Sequence, residues 1–158
     1  MKTMVTVLLL ALTAAAAPMG RAQDANADVT DMQALRAAVK ADKRAWVAAT
    51  LALTPAEAKK FWPLYDAYQR DLGMFNRRRI LALEGLIARD RPVTDLYAKN
   101  LANELIATDE GEIKARRSLS NKLLRALPAT KAARYMQLEF KVRSVVDYDI
   151  AAGIPLIH

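Results

Sequence analysis

The chain contains no cysteine, and its one histidine is the final residue, His158. The first absence excludes disulfides, thiolate zinc sites and thiol nucleophiles. The second removes the commonest general base and neutral metal ligand, leaving carboxylates, amines, hydroxyls and phenols to do any chemistry. Glycine (5) and proline (6) are scarce, aromatics are 6% of the chain, and strand-like alternation is missing. No serine elbow, phosphate-binding loop or metalloprotease helix motif occurs. An enzyme is therefore not expected. What remains, 53% apolar and 26% charged in 158 residues, is the balance of one globular domain that folds in water. A net charge of +7 points to anionic partners in general.

The N-terminus narrows the choice of partner. Lys2 precedes an apolar run from Met4 to Ala17, and Pro18 and the small-x-small sequence Gly20-Arg21-Ala22 follow. This is the pattern of a secretory signal peptide, residues 1–22, too short to span a bilayer as a helix. Cleavage after Ala22 would release a periplasmic chain, residues 23–158, with 22 basic and 17 acidic side chains. No cysteine follows the run, so no lipid anchor is expected, and a nucleic-acid partner is not expected in that compartment.

The rest reads as four helices in a single domain, its core near residues 30–152. Thr30-Asp31-Met32-Gln33 makes a capping box for the first, which carries Met32, Leu35, Val39, Trp46 and Val47 and ends near Thr50. Leu53, Thr54, Pro55 and Glu57 form the strongest helix start: a capping hydroxyl, a proline at the first helical position and a carboxylate that reaches back. Phe61, Tyr65, Tyr68, Leu72, Phe75, Arg79, Ala82 and Leu86 then trace one stripe. Pro63, two turns inside, predicts a kink near Phe61 and Trp62. Arg91-Pro92 ends this helix, Val93-Thr94 opens a third with Leu101, Leu105, Ile113, Leu119, Leu123 and Leu127 on its buried side, and the short connection makes a long antiparallel hairpin. A fourth follows Pro128, carries Tyr135, Leu138, Val142, Val145 and Val146, and stops at Gly153 before the apolar tail Ile154-Pro155-Leu156-Ile157. Its start, Leu127 to Tyr135, faintly echoes Leu53 to Phe61.

The Leu-Thr-Pro-Ala-Glu start in a cysteine-free helical chain resembles the Spy/CpxP group of periplasmic proteins, whose hallmark is Leu-Thr-x-x-Gln; Glu57 stands in place of the glutamine. The string Phe61-Trp62-Pro63-Leu64-Tyr65-Asp66-Ala67-Tyr68, with Leu127-Pro128, Lys131 to Tyr135 and Ile154-Pro155-Leu156, is similar to an uncharacterised exported branch related to that group. The resemblance implies a bent helical hairpin, commonly a dimer, that acts as an ATP-independent chaperone or stress-response adaptor.

Four constellations are candidates for function. Phe61, Tyr65 and Tyr68 have core spacing, whereas Trp62 lies on a neighbouring face and is placed to help form a concave apolar surface. Arg77, Arg78 and Arg79, with Lys114, Arg116 and Arg117 on the third helix, supply positive charge, partly neutralised if Arg79 faces Glu104 and Arg116 or Arg117 faces Asp66. Asp109-Glu110-Gly111-Glu112 interrupts the third stripe as a hinge or cation site, but two carboxylates at i, i+3 make a poor calcium site, so no metal and no cofactor are expected. Glu139, Asp147, Tyr148 and Asp149 on the fourth helix could suggest acid–base chemistry, but Glu139 and Arg143 pair most simply with each other across one turn, and Asp147 and Asp149 point to different faces. The expected function is holdase-like binding of unfolded or partly folded exported proteins through Phe61, Trp62, Tyr65, Tyr68 and Arg77 to Arg79. The alternative is a regulatory adaptor docking on an envelope sensor or a membrane component, with contact to anionic headgroups also open.

Overall fold

A computed structural model of the chain describes residues 32–157. They form four α-helices, α1 (Met32–Leu51), α2 (Pro55–Ile87), α3 (Asp95–Ala126) and α4 (Ala129–Ala152), with no strand among the described residues. The all-α expectation holds. The signal peptide and its cleavage site lie outside the described residues, as do Thr30 and Asp31 of the expected first cap.

The helix starts follow from local chemistry. At α2, Thr54 Oγ1 accepts from the Glu57 amide at 3.3 Å and Glu57 Oε2 accepts from the Thr54 amide at 2.7 Å, a reciprocal capping box ahead of Pro55. Thr94 caps α3 by accepting from the Tyr97 amide at 3.3 Å. The two echoing starts are tied together: Lys131 Nζ donates to Glu57 Oε2 at 2.7 Å and to the Ala52 carbonyl at 3.0 Å. Their closing aromatics, Phe61 and Tyr135, meet edge to face at 5.1 Å.

Non-helical dihedrals inside a helix fall at Asp42 of α1 (φ −162°, ψ 94°), while α2 runs as one helix through Pro63. The bend expected near Phe61 and Trp62 concerns the axis of α2, which is unbroken there; the break at Asp42 is a separate feature of α1. Pro63 is exposed, so the carbonyl it leaves unbonded can turn to water. Asp42 restarts α1 by accepting from the Ala45 amide at 2.9 Å, as an N-cap does.

The chain runs up and down. α2 and α3 form the long hairpin, each roughly 50 Å in length. α1 and α4 make the second antiparallel pair, linked by Arg36 to Asp149 and Lys43 to Glu139. All four helices meet at one end, where Val47, Leu51, Phe61, Tyr65, Tyr68, Leu72, Leu119, Leu123, Tyr135 and Leu138 close the main core. Leu35, Val142 and Val145 form a smaller cluster between α1 and α4.

The stripes differ from the expected ones where charge enters them. Ile113, assigned to the buried side, is 57% exposed, and α3 instead buries Leu101, Thr108, Glu112, Leu119 and Leu123. Thr108 tolerates this because its hydroxyl donates to the Glu104 carbonyl of its own helix at 2.8 Å. On α2, Leu83 rather than Ala82 or Leu86 is buried.

Gly111 lies inside the continuous helix α3 and is not a hinge. A Cβ there would stand 2.6 Å from Phe75 Cε1 and 3.1 Å from Cζ, so the missing side chain is the seat of the Phe75 ring. Alanine at this position improves intrinsic helix propensity by ~1 kcal/mol yet drives an atom into the ring. Gly111→Ala is therefore expected to lower the chemical denaturation midpoint, and a second change, Phe75→Leu, to restore part of the loss. A midpoint raised by Gly111→Ala would contradict this packing.

Candidate functional site

The aromatic side chains nominated for binding sit mainly in the core. Phe61, Tyr65 and Tyr68 are almost completely buried, and the rings of Phe61, Tyr65 and Tyr135 stack edge to face or tilted on one another. Trp62 is half-buried, in edge contact with Phe61 and Tyr65, and the Arg44 guanidinium lies 4.2 Å from its ring centroid. Arg44 also pairs with Asp66. Trp62 is thus capped by a cation.

A polar layer adjoins these rings. Tyr135 donates its hydroxyl to Glu139 Oε2 at 3.1 Å, and Lys43 Nζ donates to Glu139 Oε1 at 3.3 Å and Gln69 Oε1 at 3.0 Å. Burial, reinforced by the Glu139 charge, pushes the Tyr65 phenol up to about 12 and moves Tyr68 and Tyr135 further upward. The buried Tyr68 hydroxyl has no hydrogen-bond partner among the described residues.

The arginines divide. Arg78 grips Glu104 at 2.9 and 3.0 Å, which holds that carboxyl below its ordinary value. Arg79, the partner expected for Glu104, points instead to Asp109 at 2.6 Å and Glu112 at 3.4 Å. One residue of helix, a rotation of about 100°, separates these two outcomes. Arg77 is exposed and in no ion pair among the described residues. Asp66 meets Arg44 of α1 rather than Arg116 or Arg117.

Arg79 belongs to a network that sequence reasoning missed. Arg143, 4% exposed, places Nη2 and Nε each 2.7 Å from the carboxylate oxygens of Glu112, itself 6% exposed. Asn76 Oδ1 and Asp147 Oδ1 accept from Arg143 at 3.2 and 2.9 Å. Arg143 does not pair with Glu139, and the supposed polar island of α3 is the acidic partner of two arginines. A buried charge is tolerated only with such pairing. The signal available in the sequence was Glu112 at the seven-residue step between Leu105 and Leu119.

Above this network the hairpin and the end of α4 enclose an open cleft of about 530 Å³. Leu83, Leu105, Ile113, Ile150 and Ile154 give it aliphatic walls, while Arg79, Arg116 and the paired carboxylates line its polar edge. Ile106, Ile113 and Leu124, more than half exposed, lie along one side of α3, with Glu110 and Arg117 one turn from Ile106 and Ile113. Met32, Met136 and Phe140 line a second groove, of about 620 Å³. Of the cleft residues, Arg116 and the tail residue Ile154 had been noted only in passing, and Leu83 and Ile150 not at all. Comparison with family models, with curated proteins and with solved structures returns no match.

Two outcomes follow from the buried groups. Below the ordinary tyrosine value of 10 the neutral buried phenols contribute fully to stability, which is lost as pH rises from there through about 12. Tyr68→Phe, which removes an unpartnered hydroxyl, is expected to be nearly neutral at pH 7 and to raise the midpoint of alkaline unfolding followed by tyrosinate absorbance; an unchanged or lower midpoint would contradict it. Arg143→Met alone leaves buried Glu112 with only the longer Arg79 contact at 3.4 Å and is expected to cost about 3 kcal/mol. Glu112→Leu with Arg143→Met should recover most of this in urea denaturation, and equal losses for single and double variants would refute the pairing.

Proposed function

We propose that the chain is an exported, nucleotide-independent binding protein that holds exposed apolar segments of unfolded or partly folded proteins. The observation that carries the reading is the open cleft with aliphatic walls, one of them the exposed Ile113, edged by Arg79 and Arg116, with the exposed Ile106 two turns from Ile113 on the same helix. A folded chain rarely leaves contiguous aliphatic surface to water unless something binds there. The walls offer non-directional contact, which suits clients of varied sequence, and the polar edge can accept their backbone amides or side-chain carboxylates. Export rests on the signal-peptide pattern of residues 1–22, and the resemblance to the Spy/CpxP group supports the same class of activity.

The reading moves the binding surface away from the aromatic cluster. Phe61, Tyr65 and Tyr68 hold the helices together, and of the arginines first nominated Arg79 is at the cleft edge. The cleft's carboxylates are already engaged by arginines, an arrangement suited to shape and adhesion rather than to acid–base chemistry.

Suppression of aggregation of an unrelated unfolding protein at stoichiometric amounts tests the proposal. The wild type is expected to suppress it without nucleotide, and Ile106→Asp with Ile113→Asp, both at exposed positions, to lose most of that effect while keeping the wild-type melting temperature. No suppression by the wild type, or full suppression by the double variant, would overturn the reading.

A further inference from the structure

The hairpin has a second surface, on the side away from α1, α4 and the cleft. On α2, Lys60, Pro63, Ala67, Arg70, Met74, Arg77 and Leu81 recur at steps of three and four, so they form one stripe opposite the buried Phe61, Tyr65, Tyr68 and Leu72. On α3, Leu96, Lys99, Asn103, Ala107, Glu110, Lys114, Arg117, Asn121 and Arg125 do the same, opposite Thr108, Glu112, Leu119 and Leu123. Every residue of the two stripes is exposed except the half-buried Ala67. Among the described residues none of the seven cations on them takes part in an ion pair, and Glu110 is the one carboxylate they carry.

The contrast with the rest of the molecule is informative. Off this face pairing is common, though not universal: Arg36, Lys43, Arg44, Arg78, Arg79, Lys131 and Arg143 each have a carboxylate, whereas Lys40, Lys59, Arg89, Arg91, Arg116 and Lys122 are in no ion pair among the described residues. On this face the charge is left for something outside the chain. It is spread rather than cupped, over roughly 30 Å of α2 and 45 Å of α3 lying about 10 Å apart. Apart from Glu110, the side chains between the cations are uncharged, and Met74, Leu81 and Leu96 project from the same stripes, the two leucines being 67% and 69% exposed. Two antiparallel rods with dispersed cations and protruding aliphatics match a planar array of anionic headgroups with hydrocarbon just beneath. A soluble polyanion would satisfy the charges but leave the leucines in water.

We infer that this outer face of the hairpin docks the protein on an anionic lipid surface. The contact is peripheral: among the described residues no helix is long and apolar enough to cross a membrane. Lys60, Arg70, Arg77, Lys114, Arg117 and Arg125 engage headgroup phosphates, while Leu81 and Leu96 enter the interface near the hairpin tip. The cleft, on the other side of the same two helices, then faces away from the bilayer. The inference rests on the basic stripes, which adjoin the exposed Ile106 and Ile113 along α3, and does not depend on the proposed binding function.

The test is co-sedimentation of the full chain with vesicles of phosphatidylcholine alone and of phosphatidylcholine containing phosphatidylglycerol, with soluble polyglutamate as competitor. Binding is expected to the anionic vesicles only and to weaken as salt is raised. Lys114→Glu with Arg117→Glu should weaken it about tenfold or more. Lys40→Glu with Arg134→Glu, exposed basic positions on α1 and α4, changes net charge equally and should lose far less. Leu81→Ser with Leu96→Ser should reduce binding without altering its salt dependence. Equal partition onto the two vesicle types, equal losses for the two charge-reversal pairs, or binding to polyglutamate with none to vesicles would each overturn the inference.

Discussion

The arrangement of this molecule turns on one buried ion pair, Glu112 with Arg143. The α2–α3 hairpin and the α1–α4 pair are each internally zipped, by apolar stripes and by ion pairs along their edges. At the end where Phe61, Tyr135 and Leu123 meet, ordinary apolar packing joins the two pairs. Further along that packing thins out, and what fixes α4 against the hairpin is Arg143 reaching Glu112, with Asn76, Arg79, Asp109 and Asp147 completing the coordination. Such a pair contributes little net stability beside a well-packed apolar substitute, but its geometry admits few alternatives. It sets the rotation of α3 and α4, and with it which aliphatic residues line the cleft.

From that rotation the surfaces follow. Turning Glu112 inward turns Ile113 outward by one residue's rotation, so an aliphatic residue that would have packed becomes part of an exposed stripe. Turning Arg79 toward the same network leaves Arg77 on the far side of α2, among cations without ion-pair partners. The hairpin thus presents an aliphatic-walled cleft toward α4 and a row of cations without ion-pair partners on its outer side, the two adjoining along α3.

Much of the fold could be read from the chain. The capping box at Thr54 and Glu57, the Thr94 start and the proline after Leu127 are local interactions, complete within four residues, so they appear in the structure as the residues dictate. The main stripe Phe61, Tyr65, Tyr68 and Leu72 was equally legible, because large side chains at helical spacing must find a core. Reading failed where a partner lay far away in sequence. Gly111 looked like a weak point because its use, a seat for Phe75, lies 36 positions earlier. Glu139 and Arg143 looked like a pair because they are one turn apart, yet Lys43 and Glu112 compete for them and prevail where burial strengthens the interaction. The interruption at Asp42 escaped attention because proline was weighed above the capping carboxylate three residues before Ala45.

Sequence alone determined the number of helices, where α2, α3 and α4 begin, the main buried stripe of α2, the absence of cysteine chemistry and the basic excess, since each is a property of neighbouring residues or of composition. Tertiary structure decided which charges are neutralised and which face water, which aliphatic residues are core and which are surface, and that Trp62 is capped by Arg44 rather than offered to a partner. The physical reason is that pairing and burial are decided by distances between helices, and a rotation of one residue along any of them exchanges a buried side chain for an exposed one.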